Sequence, residues 1–529
     1  MEPRPNPADP TARDAFLLRV RRLAMIPAGA LLLFVALANC GQAFFFPLEL
    51  ELREGTGWLY VLAGRAGISI YDHGQVAFLN MNHGPLDPLL KHLLATVLPF
   101  LSAAMVTRFF VLLLPLGLWL ALVRACRQRK GAALLWGLGL YLFLLGLQPP
   151  NFLVGRSDPT ALFLLALLLW TAGSSLHEVT GSPRRRLLGA GLTGLIGALV
   201  LLTNWRFAPA VGAVIGAFAL ERLLAAAPGA RWPAFGLHVA GIVAVGGATF
   251  LAILLMVFHG DWTLYYRHFF GFFSADSGWG ALRTGDFQLL PPALVGAHWP
   301  IHLLALGCAA LGVAFPSAQA PRRVQLWAWL PLLGLLWLTC CAAYFLNRSG
   351  GGLWYFGAFY VLLAFHLARA VGWDQPALRG LRELVLLALF CALPWRATWQ
   401  QAEQLTDSFA PAQAFLHATR ELAGGARIHS EDYYFFKDRY EGEVIDMGDV
   451  LFKVSATGYY GPELTATTQR YFARLRSEPP RFVISGGSIS PVLAELLAQR
   501  YRPVLRIPPA AAQYAGPAQT FYQLQPAAP

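Results

Sequence analysis

Residues 19–55 read RVRRLAMIPAGALLLFVALANCGQAFFFPLELELREG. Arg19, Arg21 and Arg22 stand before an uncharged apolar run at 24–46, and Glu49, Glu51 and Glu54 follow it at once. A run of that length crosses a hydrocarbon core about 30 Å thick. The cluster of arginines on one flank predicts that this flank is cytoplasmic. No small-residue cleavage site follows, so the run is expected to be a retained first helix and not a removed signal peptide.

The pattern recurs along the chain. Apolar stretches at 103–125, 131–148, 158–174, 187–203, 207–227, 233–258, 300–317, 325–346, 353–371 and 380–396 bring the total to about eleven spans. Of the 529 residues, 56% are hydrophobic and 13% charged, and the mean hydropathy is +0.49. Such a chain sits largely in lipid. Its +12 formal charge comes from arginines in alternate connections, which orient helices and give no reason to invoke nucleic acid. Cys40, Cys126, Cys308, Cys340, Cys341 and Cys391 show no metal-ligand spacing.

The expected fold is mainly α, a polytopic transmembrane helical bundle with a small C-terminal α/β domain. Residues 1–23 form a cytoplasmic tail, 24–399 the membrane domain with periplasmic loops at 47–100 and 259–299, and 400–529 a periplasmic soluble domain. Within that last region, 404–424, 465–477 and 491–501 read as helices and 427–435 and 480–486 as strands.

Chemistry is expected on the outer face. Carboxylates at a membrane surface have raised pKa values and suit a general base, so Glu49 and Glu51 are candidates. The alternative is a solvated helix start with Arg53 as ion partner. Glu54, Tyr71, Asn82, His83 and Asp87 surround a Gly84-Pro85 turn and read either as a sugar-binding rim or as a plain helix entry. Asp158 beside Arg156 fits both a catalytic role and an ion pair that fixes the loop. Arg156, Arg206, Arg267 and Arg348, with His268, lie where a phosphate at the interface would need charge-assisted hydrogen bonds, although an arginine there also snorkels. Trp262, Tyr265, Tyr266, Trp279 and Trp299 suit the second loop or an interfacial aromatic belt. No phosphate-cradling or dinucleotide motif is present. No metal is required by the spacing, though acidic loops can hold a divalent ion.

Taken in order, these residues resemble the GT-C class of membrane glycosyltransferases. The matching features are the acidic pair directly after the first span, then Gly67, Tyr71 and the Gly84-Pro85-Leu86 turn. Gly155-Arg156-Ser157-Asp158-Pro159 is similar to the Arg-x-Asp element of many bacterial members, and Asn347-Arg348-Ser349-Gly350-Gly351-Gly352 to their late glycine-rich outer loop. Many members carry Asp or Asp-Glu where this chain has Glu49-Leu50-Glu51, which leaves open which glutamate takes the role. The resemblance implies inverting transfer from a polyprenyl-phosphate sugar to an envelope glycan, lipid or protein, in a bacterial cytoplasmic membrane. A transporter or flippase of lipid-linked glycans is the rival reading, but it should show repeat symmetry and matched interrupted helices, and none is evident.

Overall fold

The computed structural model describes residues 10–50, 52–71, 84–125, 130–147, 153–176, 183–225, 231–266, 320–346, 355–370, 395–430, 433–442, 461–485, 491–506 and 520–526. Helix α1 (Pro10–Phe45) carries the first apolar run, and its polar first turns are helical as well. Two helices of the first loop follow, α2 (Leu52–Arg65) and α3 (Leu86–Val97).

The stretch at 103–125, expected to be one helix, is broken. Helix α4 (Ala103–Thr107) stops at Arg108 and α5 (Phe109–Ala125) starts beyond it. Ser102 begins α4 by accepting the Met105 amide at 3.3 Å, which satisfies one of the orphan donors of a helix start. The bundle continues through α6 (Lys130–Leu147), α7 (Ser157–Leu176), α8 (Pro183–Thr203), α9 (Ala208–Ala225), α10 (Arg231–Phe258), the short α11 (Trp262–Tyr266), α12 (Ala320–Leu346) and α13 (Tyr355–Ala370).

Among the described residues, 103–125, 184–203, 205–224 and 235–258 are long and apolar enough to cross a membrane. They are apolar on all sides, as helices facing both lipid and protein must be. This is a membrane protein. The span expected at 300–317, and most of that at 380–396, lie outside the described residues.

Helix α8 separates two polar clusters. Near its start Arg186 lies within electrostatic reach of Arg222, whose Nη1 is 2.7 Å from His238 Nδ1. Beside them Glu221 pairs with Arg369 at 2.9 Å and accepts the Trp329 indole N–H. The other end, at Thr203, accepts the Gly84 amide at 2.8 Å. The candidate site lies at this second end.

A single helix, α14 (Trp395–Ala423), runs through the expected boundary at 399. It lies along α1, with Phe34 and Trp399 rings 6.5 Å apart, Phe46 and Phe409 rings 6.3 Å apart, and Gln42 Nε2 donating to Thr406 Oγ1 at 2.6 Å. Beyond it come β1 (Ile428–Ser430), α15 (Gly461–Ser477), β2 (Phe482–Ser485), α16 (Pro491–Arg500), β3 (Tyr501–Arg506) and β4 (Thr520–Leu524). The sheet order is β1-β2-β4-β3. Strands β1 and β2 are parallel with Ile428 opposite Phe482, and β4 is antiparallel to both β2 and β3. Strands β3 and β4 were not expected. Pro503 and the bulge between Pro503 and Leu505 disturb the alternation that reveals a strand.

Candidate active site

The site is built around Arg108, which sits at the break between α4 and α5. A helix that ends in an apolar setting leaves carbonyls without partners, and α1 ends there. Arg108 Nη1 donates to the Ala43 and Phe46 carbonyls at 2.7 Å each, and Nη2 to the Leu48 carbonyl at 2.5 Å. Its other face grips Glu54 of α2, with Nε to Oε1 at 2.7 Å and Nη2 to Oε2 at 2.5 Å. Glu54 also accepts the Leu50 amide at 2.6 Å and the Gly155 amide at 2.5 Å. Both side chains are 0% exposed. This pair therefore fixes the turn of the first loop against two other elements.

The Gly155 peptide is held on its second side too. Lys91 of α3 donates from Nζ to the Gly155 carbonyl at 2.6 Å and to Asp87 Oδ2 at 2.7 Å, while Thr160 donates to Asp87 Oδ1 at 2.8 Å. Gly155 must be glycine, because a Cβ there would lie 2.6 Å from the Thr107 carbonyl oxygen. The next residue, Arg156, places Nε 3.6 Å from Asp158 Oδ2. Asn204, which also caps the turn Trp205–Phe207, donates to Ser157 Oγ and Asp158 Oδ1 at 3.3 Å.

Glu49 lies on the far side of the first loop, facing the C-terminal region. Its Oε1 accepts the amides of Tyr434 at 2.5 Å and Phe435 at 2.7 Å. Its Oε2 is buried with no hydrogen-bond partner. Burial pushes the carboxyl up to about 8, the amide donors work against that shift, and the Glu54 charge adds to it.

A cavity of about 360 Å³ lies between α2, α3 and the end of α10, lined by Tyr60, Ser69, Tyr71, Pro88, His92, Met256 and His259 among others, with no Arg or Lys among the described residues that line it. The Tyr71 ring rests on Phe258 at 4.6 Å. His259 holds a φ of 52°, a left-handed conformation uncommon outside glycine.

No protein-family model matches the sequence, and no curated protein does. Among solved structures it is similar to ArnT from Cupriavidus metallidurans bound to undecaprenyl phosphate, with a TM-score of 0.52, 13% identity, and coverage of 93% of this chain and 97% of that one. The chain has a GT-C-like fold. It also matches the apo state of the same ArnT with a TM-score of 0.39 at 14% identity, over 94% of this chain and 98% of that one. An oligosaccharyltransferase of Archaeoglobus fulgidus in complex with Zn and sulfate matches with a TM-score of 0.43 at 16% identity, over 71% of this chain and 52% of that one.

Within the GT-C-like fold the expected residues separate into groups. Glu54, Asp87, Arg156 and Asp158 meet around residues 155–158. Glu54 and Asp87 are buried, each carboxylate paired with a buried cation and accepting from further donors. Tyr71 is buried too, and burial with the nearby Asp87 charge raises its phenol. Arg206 is half-buried in the turn that Asn204 caps. Glu51, Asn82, His83, Arg267, His268 and Arg348 lie outside the described residues.

Arg108, Lys91, Thr160, Asn204 and Trp58 were not singled out from the sequence. Arg108 carried a signal, as a charge near the start of an apolar run. Among the described residues no group of three or more His, Cys, Asp or Glu side chains could hold a metal ion.

Proposed function

We propose that this chain is a membrane glycosyltransferase that moves a sugar with inversion from a polyprenyl-phosphate carrier to an acceptor at the membrane surface, with Glu49 as general base. The observation that carries the reading is Glu49 itself, a buried carboxyl beside the first span of a GT-C-like fold, with one oxygen held and the other without a partner. A hydroxyl is a poor nucleophile near neutral pH, and a positioned base supplies about 10²–10⁴-fold. The proton passes from the acceptor hydroxyl to Glu49 as its oxygen bonds to the anomeric carbon. The bond from that carbon to the phosphate breaks on the opposite face, and its electron pair leaves with the polyprenyl phosphate.

Arg156 and Arg206 are the described cations assigned to the leaving phosphate, with Arg267, His268 and Arg348 as further candidates. Asp158 orients Arg156. The cavity beside Tyr71 is lined, among the described residues, mostly by apolar and aromatic side chains with His92 and His259, so it suits an isoprenoid or the face of a sugar better than a phosphate. The structural similarity to ArnT bound to undecaprenyl phosphate supports a carrier of this class. The acceptor is a glycan, lipid or protein of the cell envelope.

In this reading the chain lies in a bacterial cytoplasmic membrane with its N-terminus in the cytoplasm and residues from about 400 outside. Incubating the purified protein with a panel of polyprenyl-phosphate sugars, and following donor loss and product stereochemistry, tests the activity. An intact donor that is not consumed but moves across vesicles would favour a transporter. An active phosphatase fused after residue 529 is expected; an inactive one would overturn the orientation.

A further inference from the structure

Residues 433–437, Tyr-Tyr-Phe-Phe-Lys, follow β1 and are all buried. The turn is shaped locally by Ser430, whose Oγ accepts the Tyr433 amide at 3.0 Å and whose carbonyl accepts the Tyr434 hydroxyl at 2.6 Å. Further polar contacts cross to the first loop, 385 and 386 positions away in the chain for the bonds to Glu49. Besides those amide bonds, the Trp58 indole N–H donates to the Lys437 carbonyl at 2.9 Å. The Arg108 guanidinium lies over the Phe435 ring at 5.5 Å. Backbone groups of a distant segment thus meet a carboxylate from one side only.

We propose that this turn is a positioning element of the reaction centre: the Tyr434 and Phe435 amides fix Oε1 of Glu49 so that Oε2 receives the proton of the acceptor hydroxyl. The inference rests on Glu49 being the base. An oxygen already accepting two N–H bonds is a poor proton acceptor, whereas its partner keeps its lone pairs. Amide donors favour the ionised carboxylate, which holds the base ready in a setting where burial favours the acid. Among the described residues the charge that acts on Glu49 is that of Glu54, which is paired with buried Arg108; Lys437, in the same turn as the amide donors, is paired with Glu441 at 2.8 Å.

The test is the pH dependence of kcat and KM in the full-length protein in nanodiscs, with a donor and acceptor pair found active in the panel. Replacing the Phe435 amide by a backbone ester removes one N–H and keeps the side chain, and Phe435→Pro removes it by ordinary mutagenesis. Each is expected to lower kcat about tenfold with little change in KM, and to move the acidic limb of the profile up by about one pH unit. Phe435→Leu keeps the N–H and should leave the limb in place.

Labelling of Glu49 by a hydrophobic carbodiimide, which reacts with protonated carboxyls, should persist to higher pH in the ester variant and needs no turnover. A limb and labelling curve that stay put, or that move down, overturn the proposal; the downward shift would show that the turn only keeps water away. Failure of the underlying reading looks different: Glu49→Gln would then turn over at the parental rate.

Discussion

Replacing Arg108 by Met should be among the most destabilising single changes in the chain. The substitution keeps an unbranched apolar stem in the break between α4 and α5 but removes every donor of the guanidinium. The Ala43, Phe46 and Leu48 carbonyls lose their bonds, and Glu54 loses the Arg108 guanidinium while remaining 0% exposed. Removing one partner of such a pair costs about 3–5 kcal/mol, because a buried charge is left uncompensated. Glu54→Gln leaves Arg108 its three carbonyls and should cost less. In the double variant Arg108→Met/Glu54→Gln the stranded carboxylate is gone, so its loss should fall short of the sum of the single losses by at least about 1 kcal/mol. Thermal unfolding in detergent, followed by size-exclusion chromatography of the fluorescent fusion, ranks the four proteins. If Arg108→Met melts with the parent, or the double variant equals the sum, the pair does not hold the first loop as described.

Three further outcomes follow from the same geometry. Lys91→Met should destabilise more than Asp87→Asn in the same melting assay, since it strands the Asp87 carboxylate and the Gly155 carbonyl together; equal melting points would count against it. The carboxyl of Glu49, raised to about 8 by burial, favours the folded state when protonated. Its contribution is full below the unfolded value near 4.3 and declines until pH passes about 8. Glu49→Gln should therefore gain stability relative to the parent as pH rises from 5 to 9, and parallel pH profiles would contradict this. Arg156→Ala should weaken binding of the polyprenyl-phosphate donor about tenfold, as loss of one charge-assisted hydrogen bond implies. Unchanged affinity in equilibrium binding would move the phosphate site elsewhere.

The membrane helices were legible in the sequence because lipid demands a continuous apolar run and internal satisfaction of every backbone group. The stretches 187–203 and 233–258 lie within helices that begin only a few residues earlier. Hydropathy cannot show a break whose cause is a partner far away in the chain. Arg108 ends α4 because its bonds go to residues 43–54, and no local period records them. The C-terminal turn was hidden for a related reason. The segment 427–435 has the composition of a strand, but among its described residues only 428–430 pair with a neighbour, and Glu49 holds the amides of Tyr434 and Phe435 that a ladder would have used. Motif reasoning found Glu49, Glu54, Arg156 and Asp158 by residue type; it could not separate a carboxylate already bound to a buried arginine from one with an oxygen to spare.

The unbroken course of α14 makes the sheet answerable to the bilayer. From Phe409, beside the end of α1, to Ala423 the helix extends about 21 Å at 1.5 Å per residue. A tilt of ~5° against α1 moves its far end by ~2 Å, more than an N–H···O bond tolerates. Helices tilt when the hydrocarbon thins or thickens around them. The helix that carries the C-terminal lobe thus also works as a lever, running from the end of α1 towards the turn whose amides hold Glu49.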